Sequence, residues 1–318
     1  MSLFKKKELS LQDYLKAHPN ARTVAIAGTR GHASAINALG MVLGHTFVVA
    51  LGANEDANPD IVLVDTRTDE DLSWLNPDIT VITACDDDAA AQQFFALANR
   101  SKQVVINYNE VPKQYAALLQ NPEVTTYGNE LPADYYYENH EHTVTDGQKG
   151  DIVNIEREHI PVEAKILGEH NMRYLVMATI VAKKFGVTRE QIIGGLEAVR
   201  PVYGRMSPAR GLRGSYIIDD SADESPESIQ LGLLALYSYD AAARILVIDD
   251  VMKLHNINLD LLTDVLVLTE TPRDDLPEKF HQFATEIELI NYLGGRLGEN
   301  VLVLLEIPIP EIIESYLW

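Results

Sequence analysis

Gly28-Thr29-Arg30-Gly31-His32-Ala33-Ser34 follows the apolar run Val24-Ala25-Ile26-Ala27 and precedes a stretch with helical spacing. In an α/β protein this junction of buried strand and helix is where a phosphate-binding loop sits. Loops of the GxxGK[ST] kind use glycines to bring backbone N–H groups onto phosphate. A lysine neutralises the charge and the next hydroxyl holds Mg²⁺. Here the lysine position is His32 and the hydroxyl position is Ala33. Glycines also suit any tight strand-to-helix turn, so the loop alone leaves both readings open.

Working outward, apolar runs recur at 23–27, 46–51, 61–65, 79–83 and 103–107. Several are near-continuous Val, Ile and Leu, as expected for strands buried on both faces of a mainly parallel sheet. Helices are expected over 9–17, 88–99 and 110–119, with Asp88 and Asn109 or Glu110 near the starts of the last two. From 122 to 167 short alternating segments with turn signals at Asp146-Gly147 and Lys149-Gly150 point to antiparallel strands and hairpins. Residues 170–199 return to helix in two pieces broken at Gly186. A second alternation follows: strand 215–219, helix 226–238, strands 244–249 and 264–268, helix 286–297, strand 300–305 and a terminal helix 310–316. The fold class is α/β, with a mostly parallel sheet, helices on both faces, an antiparallel side segment and a smaller second α/β domain. The join is placed near 204–208, flanked by Gly204 and Pro208.

The chain has 318 residues, 46% of them hydrophobic, enough to bury a sizeable core. Against 47 acidic residues stand 26 basic ones, a net charge of −21 that repels nucleic acid and anionic membrane surfaces. The single cysteine, Cys85, excludes an internal disulfide and a four-cysteine zinc site. It fits a reducing compartment, so the cytoplasm is the expected location. Lys5-Lys6-Lys7 is followed by Glu8 and polar residues where a signal peptide needs an apolar stretch, and no export signal is expected. Leu3-Phe4 and the lysines read as a solvated start rather than a membrane contact, and no run reaches the ~20 apolar residues of a membrane span.

Downstream of the loop come Ile61-Val62-Leu63-Val64-Asp65, Pro77-Asp78-Ile79-Thr80-Val81-Ile82-Thr83 and Ile106-Asn107-Tyr108-Asn109-Glu110. Then follow Gly168-Glu169-His170-Asn171, Gly204-Arg205-Met206 and, over 217–228, IIDDSADESPES. In this order and spacing the motifs resemble the Mur ligase family, whose members use ATP to join amino acids or peptides to a carboxylate in peptidoglycan synthesis. The last segment is similar to that of the branch adding D-alanyl-D-alanine. The resemblance implies a P-loop-type central domain over 21–205 after a lead helix in 1–20, and a Rossmann-like C-terminal domain over 206–318. It implies ATP and Mg²⁺ as cofactors. Gly28, Thr29, Gly31, His32, Ser34, Asn171, Asp220 and Ser221 fall at nucleotide-facing positions, Asp65 and Asp86 at candidate metal positions, and His32 and Asp65 are the catalytic candidates.

The departures bear on the chemistry. Imidazole, with an ordinary pKa near ~6.5, is mostly uncharged at neutral pH, and Ala33 has no metal ligand. Gln92 stands where family members carry a lysine that supports the second metal, and it cannot form a carbamate. Asp86-Asp87-Asp88 replaces the family's acids and histidine, and reads as a helix cap that is also able to attract Mg²⁺. Leu304-Leu305-Glu306 stands in place of a Lys-Gly-Ser segment. About 20 residues precede the loop strand, so no docking site for a UDP-sugar is expected. These losses point to a pseudoenzyme that keeps weak or no ATP use and binds or scaffolds a protein partner in cell-wall synthesis. The alternative is a divergent ligase acting on a smaller carboxylate. His140 and His142 have strand spacing suited to a metal but read as a solvated hairpin. Asp219-Asp220 and Asp249-Asp250 end expected strands, Cys85 reads as a small core residue, and Trp318 with the 307–317 segment as a docked terminal helix.

Overall fold

A short helix, α1 (Leu11–Ala17), capped by the Ser10 hydroxyl, leads into β1 (Arg22–Ala27), the loop and α2 (His32–Gly44). The structure, a computed structural model, describes residues 9–53, 58–68, 70–120, 123–222 and 225–318; Leu3-Phe4 and the lysine run lie outside them. After α2 come β2 (Val49–Leu51), β3 (Ile61–Asp65), β4 (Ile79–Ile82), α3 (Asp88–Ala98) and β5 (Gln103–Asn107). A single-turn helix α4 (Lys113–Ala116), β6 (Glu123–Tyr127), β7 (Tyr135–Thr143), β8 (Gly147–Asn154) and β9 (His159–Ala164) follow. The nine strands form one sheet in the order β2-β3-β1-β4-β5-β6-β7-β8-β9.

The parallel strands are apolar on both faces because both are covered. Paired residues share a face: Ala25 lies beside Val64, and Ala27 beside Ile82, which lies beside Ile106. On that side α1 and α3 pack, burying Tyr14, Phe94 and Phe95 against Val62, Val64, Val104 and Ile106. Alternate residues such as Val24, Ile26 and Leu63 face the opposite side, and α2 packs on β1 and β3 with Ala35, Ala38, Leu39, Val42 and Leu43 buried at i, i+3, i+4 spacing. Each fully buried large side chain stabilises the fold by about 1.5–3 kcal/mol relative to exposure.

Adjacent strands β1 and β4 lead in opposite directions. From β1 the chain crosses through α2 toward the β2 edge; from β4 it crosses through α3 toward β5. Such a divergence opens a crevice at the carboxyl ends of the two strands, where open α/β sheets bind ligands. Residues 28–31 form one wall of it and 83–86 the other.

The chain divides into two compact units. The first is Met1–His140, Gly150–Val162 and Met172–Val199; the second is Glu141–Lys149, Glu163–Asn171 and Arg200–Trp318. The first contains α5 (Glu169–Lys184) from Met172 onward and α6 (Arg189–Glu197), the latter opened by a capping box between Thr188 and Gln191. The helical run is interrupted at Gly186, which has φ +79°, as the sequence leads one to expect.

The second unit is built on β10 (Ser207–Gly211), β11 (Tyr216–Asp219), α7 (Pro226–Ser238), β12 (Ala243–Ile248), β13 (Asp264–Leu268), β14 (Phe280–Phe283), α8 (Glu286–Arg296), β15 (Val301–Leu305) and β16 (Ile313–Tyr316). Its sheet order is β14-β13-β12-β15-β11-β10-β16. The five strands from β14 to β11 are parallel, and β10 is antiparallel to both β11 and β16. Helices α7 and α8 cover opposite faces. Val144 and Leu167, from the two early segments, pack in the α7-side core, and the Gly168 N–H donates to the Tyr239 hydroxyl at 3.2 Å. A single cut near 204–208 therefore does not separate the units.

Several elements differ from the sequence expectation. The terminal helix at 310–316 is a 3₁₀ turn at Pro310–Ile312 followed by β16. Pro308 and Pro310 hold the preceding residues extended, and the β10 edge supplies a ladder that a helix would leave unpaired. The helix at 110–119 shrinks to four residues behind Pro112. Strand β6, expected to be antiparallel, continues the parallel sheet in register with β5 from Gln103↔Glu123 to Asn107↔Tyr127. Strand β14 was not expected, because its residues are all half-buried and show no alternation.

Helix α6 approaches α2 closely at Gly195, where an added Cβ would lie 2.8 Å from the Val42 carbonyl oxygen. Gly195→Ala is expected to push these helices apart and cost about 1–3 kcal/mol, read as a lowered midpoint in thermal or urea unfolding. An unchanged midpoint would show that the helices yield freely there.

Candidate functional site

The crevice at the ends of β1 and β4 is stitched across by the protein's own groups. The Thr29 N–H donates to the Ala84 carbonyl at 3.1 Å, and the Thr83 hydroxyl donates to the Arg30 carbonyl at 2.5 Å. The Thr29 hydroxyl donates to Asp86, which also takes the Arg30 guanidinium. Both loop glycines are required by this closeness. A Cβ on Gly28 would lie 2.1 Å from the Thr83 hydroxyl, and one on Gly31, at φ +83°, 2.0 Å from the Tyr174 hydroxyl. The glycines thus admit protein groups to the place where phosphate was expected to approach. Gly31 is the N-cap of α2 and makes no side-chain capping bond, so the helix presents its positive end to the crevice.

His32 is turned back into the loop and is 1% exposed. Its Nε2 lies 2.6 Å from the Gly28 carbonyl oxygen and its Nδ1 2.7 Å from Asp65 Oδ1. Burial pulls the imidazole pKa below its ordinary value and outweighs the raising pull of the Gly28 carbonyl and Asp65. Both neighbours are acceptors, so satisfying both takes two ring protons, and burial opposes the second. A lysine in this place would project a fixed charge; His32 instead ties β3 to the loop. Asp65 also accepts from the Arg67 backbone and guanidinium, at 3.0 and 2.8 Å. Burial raises its pKa, but the Arg67 bonds and His32 lower it further, to about 2.

A second network lies beside the loop. Arg30 bridges Asp86 and Glu110, and Arg173 of α5 reaches the other oxygen of Glu110. Burial raises the pKa of Glu110, yet the two guanidinium groups hold it below the usual carboxylate value. Asp86 is likewise lowered, burial being outweighed by Thr29 and Arg30. In the sequence Glu110 closes the motif Ile106-Asn107-Tyr108-Asn109-Glu110 and marks a helix start, and neither reading pairs it with an arginine. Arg173 and Tyr174 carry no signal in the sequence: they follow the 168–171 motif, and their partners Glu110 and Gly31 are distant in the chain.

The remaining sequence-derived residues divide as follows. Asp87 is the N-cap of α3, accepting from the Ala90 N–H at 2.8 Å, and Asp88 takes the Tyr115 hydroxyl, so capping describes these two and the loop takes Asp86. Gln92 is exposed on the solvent side of α3. Ser34 lies in the first turn of α2. Asn171, Asp220 and Ser221 belong to the second unit. There the Asn171 side chain donates to the Leu167 carbonyl at 2.7 Å. Buried Asp220 accepts from the Met206 N–H and the Ser228 hydroxyl, which fixes the turn after Gly204. Ser221 donates its hydroxyl to Asp219, which also takes the Tyr316 hydroxyl, both at 2.7 Å. Glu306 is buried beside Gly232 of α7. Cys85 is a buried free thiol whose pKa burial pushes up, in keeping with a core role. His142 stacks edge-on with Tyr239, and His140 with Tyr137.

Among the described residues no group of three or more His, Cys, Asp or Glu side chains is placed to hold a metal ion. The candidate metal ligands Asp65 and Asp86 have their carboxylates engaged by His32, Arg67, Thr29 and Arg30, and as arranged they do not fit Mg²⁺. For a nucleotide phosphate, the uncapped α2 terminus fits and the missing lysine does not.

The chain matches no family model. It is 30% identical over 132 residues to UDP-N-acetylmuramoyl-tripeptide–D-alanyl-D-alanine ligase of Haemophilus influenzae, a match covering 42% of this chain and 28% of that enzyme's length. The MurF ligase of Thermotoga maritima, solved in complex with ADP, superposes with a TM-score of 0.74 at 14% identity, over 93% of this chain and 78% of that one. The fold is that of the Mur ligases. The same Mur ligase fold extends to folylpolyglutamate synthetase of Lactobacillus casei, with a TM-score of 0.70 at 15% identity over 96% and 93% of the two chains. UDP-N-acetylmuramate-alanine ligase MurC of Thermotoga maritima gives 0.70 at 19% identity, over 92% of this chain and 73% of that one. The sequence resemblance and the Mur ligase architecture therefore agree.

Asp65, Asp86 and Glu110 all stay ionised further into acid when folded than when unfolded. Their stabilisation is complete above the ordinary carboxylate range and is lost as the pH falls through their lowered folded-state pKa values, about 2 for Asp65. A Glu110→Gln or Asp65→Asn chain should lose thermal stability less steeply between pH 5 and about 2.5 than the native chain. Parallel pH slopes in native and variant would contradict this account.

Proposed function

We propose that this chain is a Mur-ligase-like binding or scaffolding protein of cell-wall metabolism in which ATP-driven ligation is lost. The observation that carries this reading is the His32 side chain, buried between the Gly28 carbonyl and Asp65 where a cation for phosphate was expected. Ligation of the kind the resemblance implies runs through an acyl phosphate, and its transition state depends on cations fixed around the transferring oxygens. Ala33 in the hydroxyl position and Gln92 in the lysine position support the same reading. Losing one such group typically costs about 10²–10³ in rate, and three are missing. The scaffold remains, with a phosphate-type loop and two well-packed cores, and a protein partner in the cytoplasm is the natural target of such a surface. Among the described residues no helix is long and apolar enough to cross a membrane.

A second reading has its own support. Arg30 and Arg173 bring two fixed charges to the crevice, and the proteins this chain is similar to are ligases. On that reading the chain is a divergent ATP-dependent ligase joining an amino acid or peptide to a small carboxylate.

Calorimetry with ATP and Mg²⁺, coupled to a phosphate-release assay over a panel of amino acids, separates the two. The expected result is no amino-acid-stimulated phosphate release and ATP binding no tighter than millimolar. Micromolar binding with stimulated release would establish the ligase reading instead. In the His32→Lys, Ala33→Thr double variant ATP affinity is expected to rise by at least tenfold, since charge and hydroxyl return to the loop.

A further inference from the structure

Arg30 comes from the loop and Arg173 from α5, and both end on one carboxylate, Glu110. The geometry is that of a bound anion: two guanidinium groups, one on each side, each binding a different oxygen. The Arg173 and Glu110 side chains are only 14% and 25% exposed, so the pair is held in a partly dry environment. Guanidinium forks match the oxygens of carboxylate and phosphate equally well, whatever molecule carries them. Two further features mark the spot as a place for an incoming anion. Gly31, next to Arg30, is the uncapped N-terminus of the 13-residue α2. The Tyr174 hydroxyl, next to Arg173, lies against Gly31, and burial raises its pKa, which keeps it neutral and able to donate.

We infer that Arg30 and Arg173 form an oxyanion site for the carboxylate or phosphate group of a ligand, and that Glu110 fills it as a tethered stand-in until that ligand displaces it. Asp86 steadies the arrangement by holding the far side of Arg30. A tethered carboxylate competes at an effective concentration of about millimolar or more, so a free anion binds the native chain weakly. Removing Glu110 leaves two facing cations, of which Arg30 keeps Asp86 on its far side while Arg173 loses its carboxylate, and the need for an outside anion becomes acute. This inference rests on the reading of the crevice as a binding site rather than a ligation site.

The test is chemical replacement of the missing carboxylate, done without ATP. Native, Glu110→Ala and Glu110→Gln chains are titrated with sodium acetate, sodium phosphate or sodium chloride at matched ionic strength, and followed by thermal unfolding and calorimetry. Both variants are expected to melt below the native chain and to recover with acetate or phosphate but not with chloride, binding the oxyanion at least tenfold more tightly than the native chain. Recovery with acetate alone identifies a carboxylate ligand; recovery with phosphate alone identifies a phosphoryl group. Adding Arg173→Met to Glu110→Gln should abolish the effect. If Glu110→Ala fails to fold, Glu110→Gln, which keeps the side-chain volume, carries the test. Equal oxyanion affinity in native and Glu110→Gln chains, recovery by chloride, or recovery that survives Arg173→Met would overturn the inference. ATP turnover by the native chain would refute the proposed function and leave this titration unaffected.

Discussion

Adjacent strands β1 and β4 hand the chain to opposite edges of the sheet, and the first unit is organised around that divergence. Burying both faces of a parallel sheet requires helices on both sides, and so α2 leaves β1 one way while α3 leaves β4 the other. The crevice between the two strand ends follows from topology alone. What fills it is decided by side chains: Thr83 against Gly28, Tyr174 against Gly31, and His32 folded back onto the loop.

The electrostatics of the crevice come close to internal balance. Arg30, Arg67 and Arg173 face Asp65, Asp86 and Glu110, and the buried imidazole of His32 sits among them. In a chain of net charge −21 this is a local concentration of arginine, and each guanidinium is satisfied within the protein. A phosphate site poised for catalysis would leave positive charge unmatched for the nucleotide. The arrangement here lowers carboxylate pKa values instead, which makes it a stabilising feature at neutral pH.

Much of this was legible in the sequence because it rests on local pattern. The Val, Ile and Leu runs at 23–27, 61–65 and 103–107, the glycine pair at 28 and 31 and the i, i+3, i+4 spacing of α2 are written in consecutive residues. The ordered motifs carried the fold class further than periodicity alone. What was not legible depends on partners distant in the chain. Residues 313–316 alternate no more clearly than a helix would, and become a strand only because β10 lies open beside them. The convergence of Arg173 on Glu110 joins positions 63 residues apart, and no spacing rule connects them. The chemistry of imidazole marks His32 as a poor substitute for lysine, but no local pattern foretells a ring turned inward onto Gly28 and Asp65.

The second unit gathers three separated stretches, 141–149, 163–171 and 200–318, around one set of cores. Its pieces meet across long intervals: the Trp318 indole N–H donates to the Thr145 carbonyl at 3.3 Å over a separation of 173 positions, and Lys165 lies over the same ring. Contacts of such span require closing large loops before any stabilisation is gained, which slows folding. The first unit has all its strands and helices in hand by Val199, whereas the second waits for a chain more than a hundred residues longer. The early segments Glu141–Lys149 and Glu163–Asn171 therefore belong to a core whose other residues, from Arg200 to Trp318, all come later in the chain.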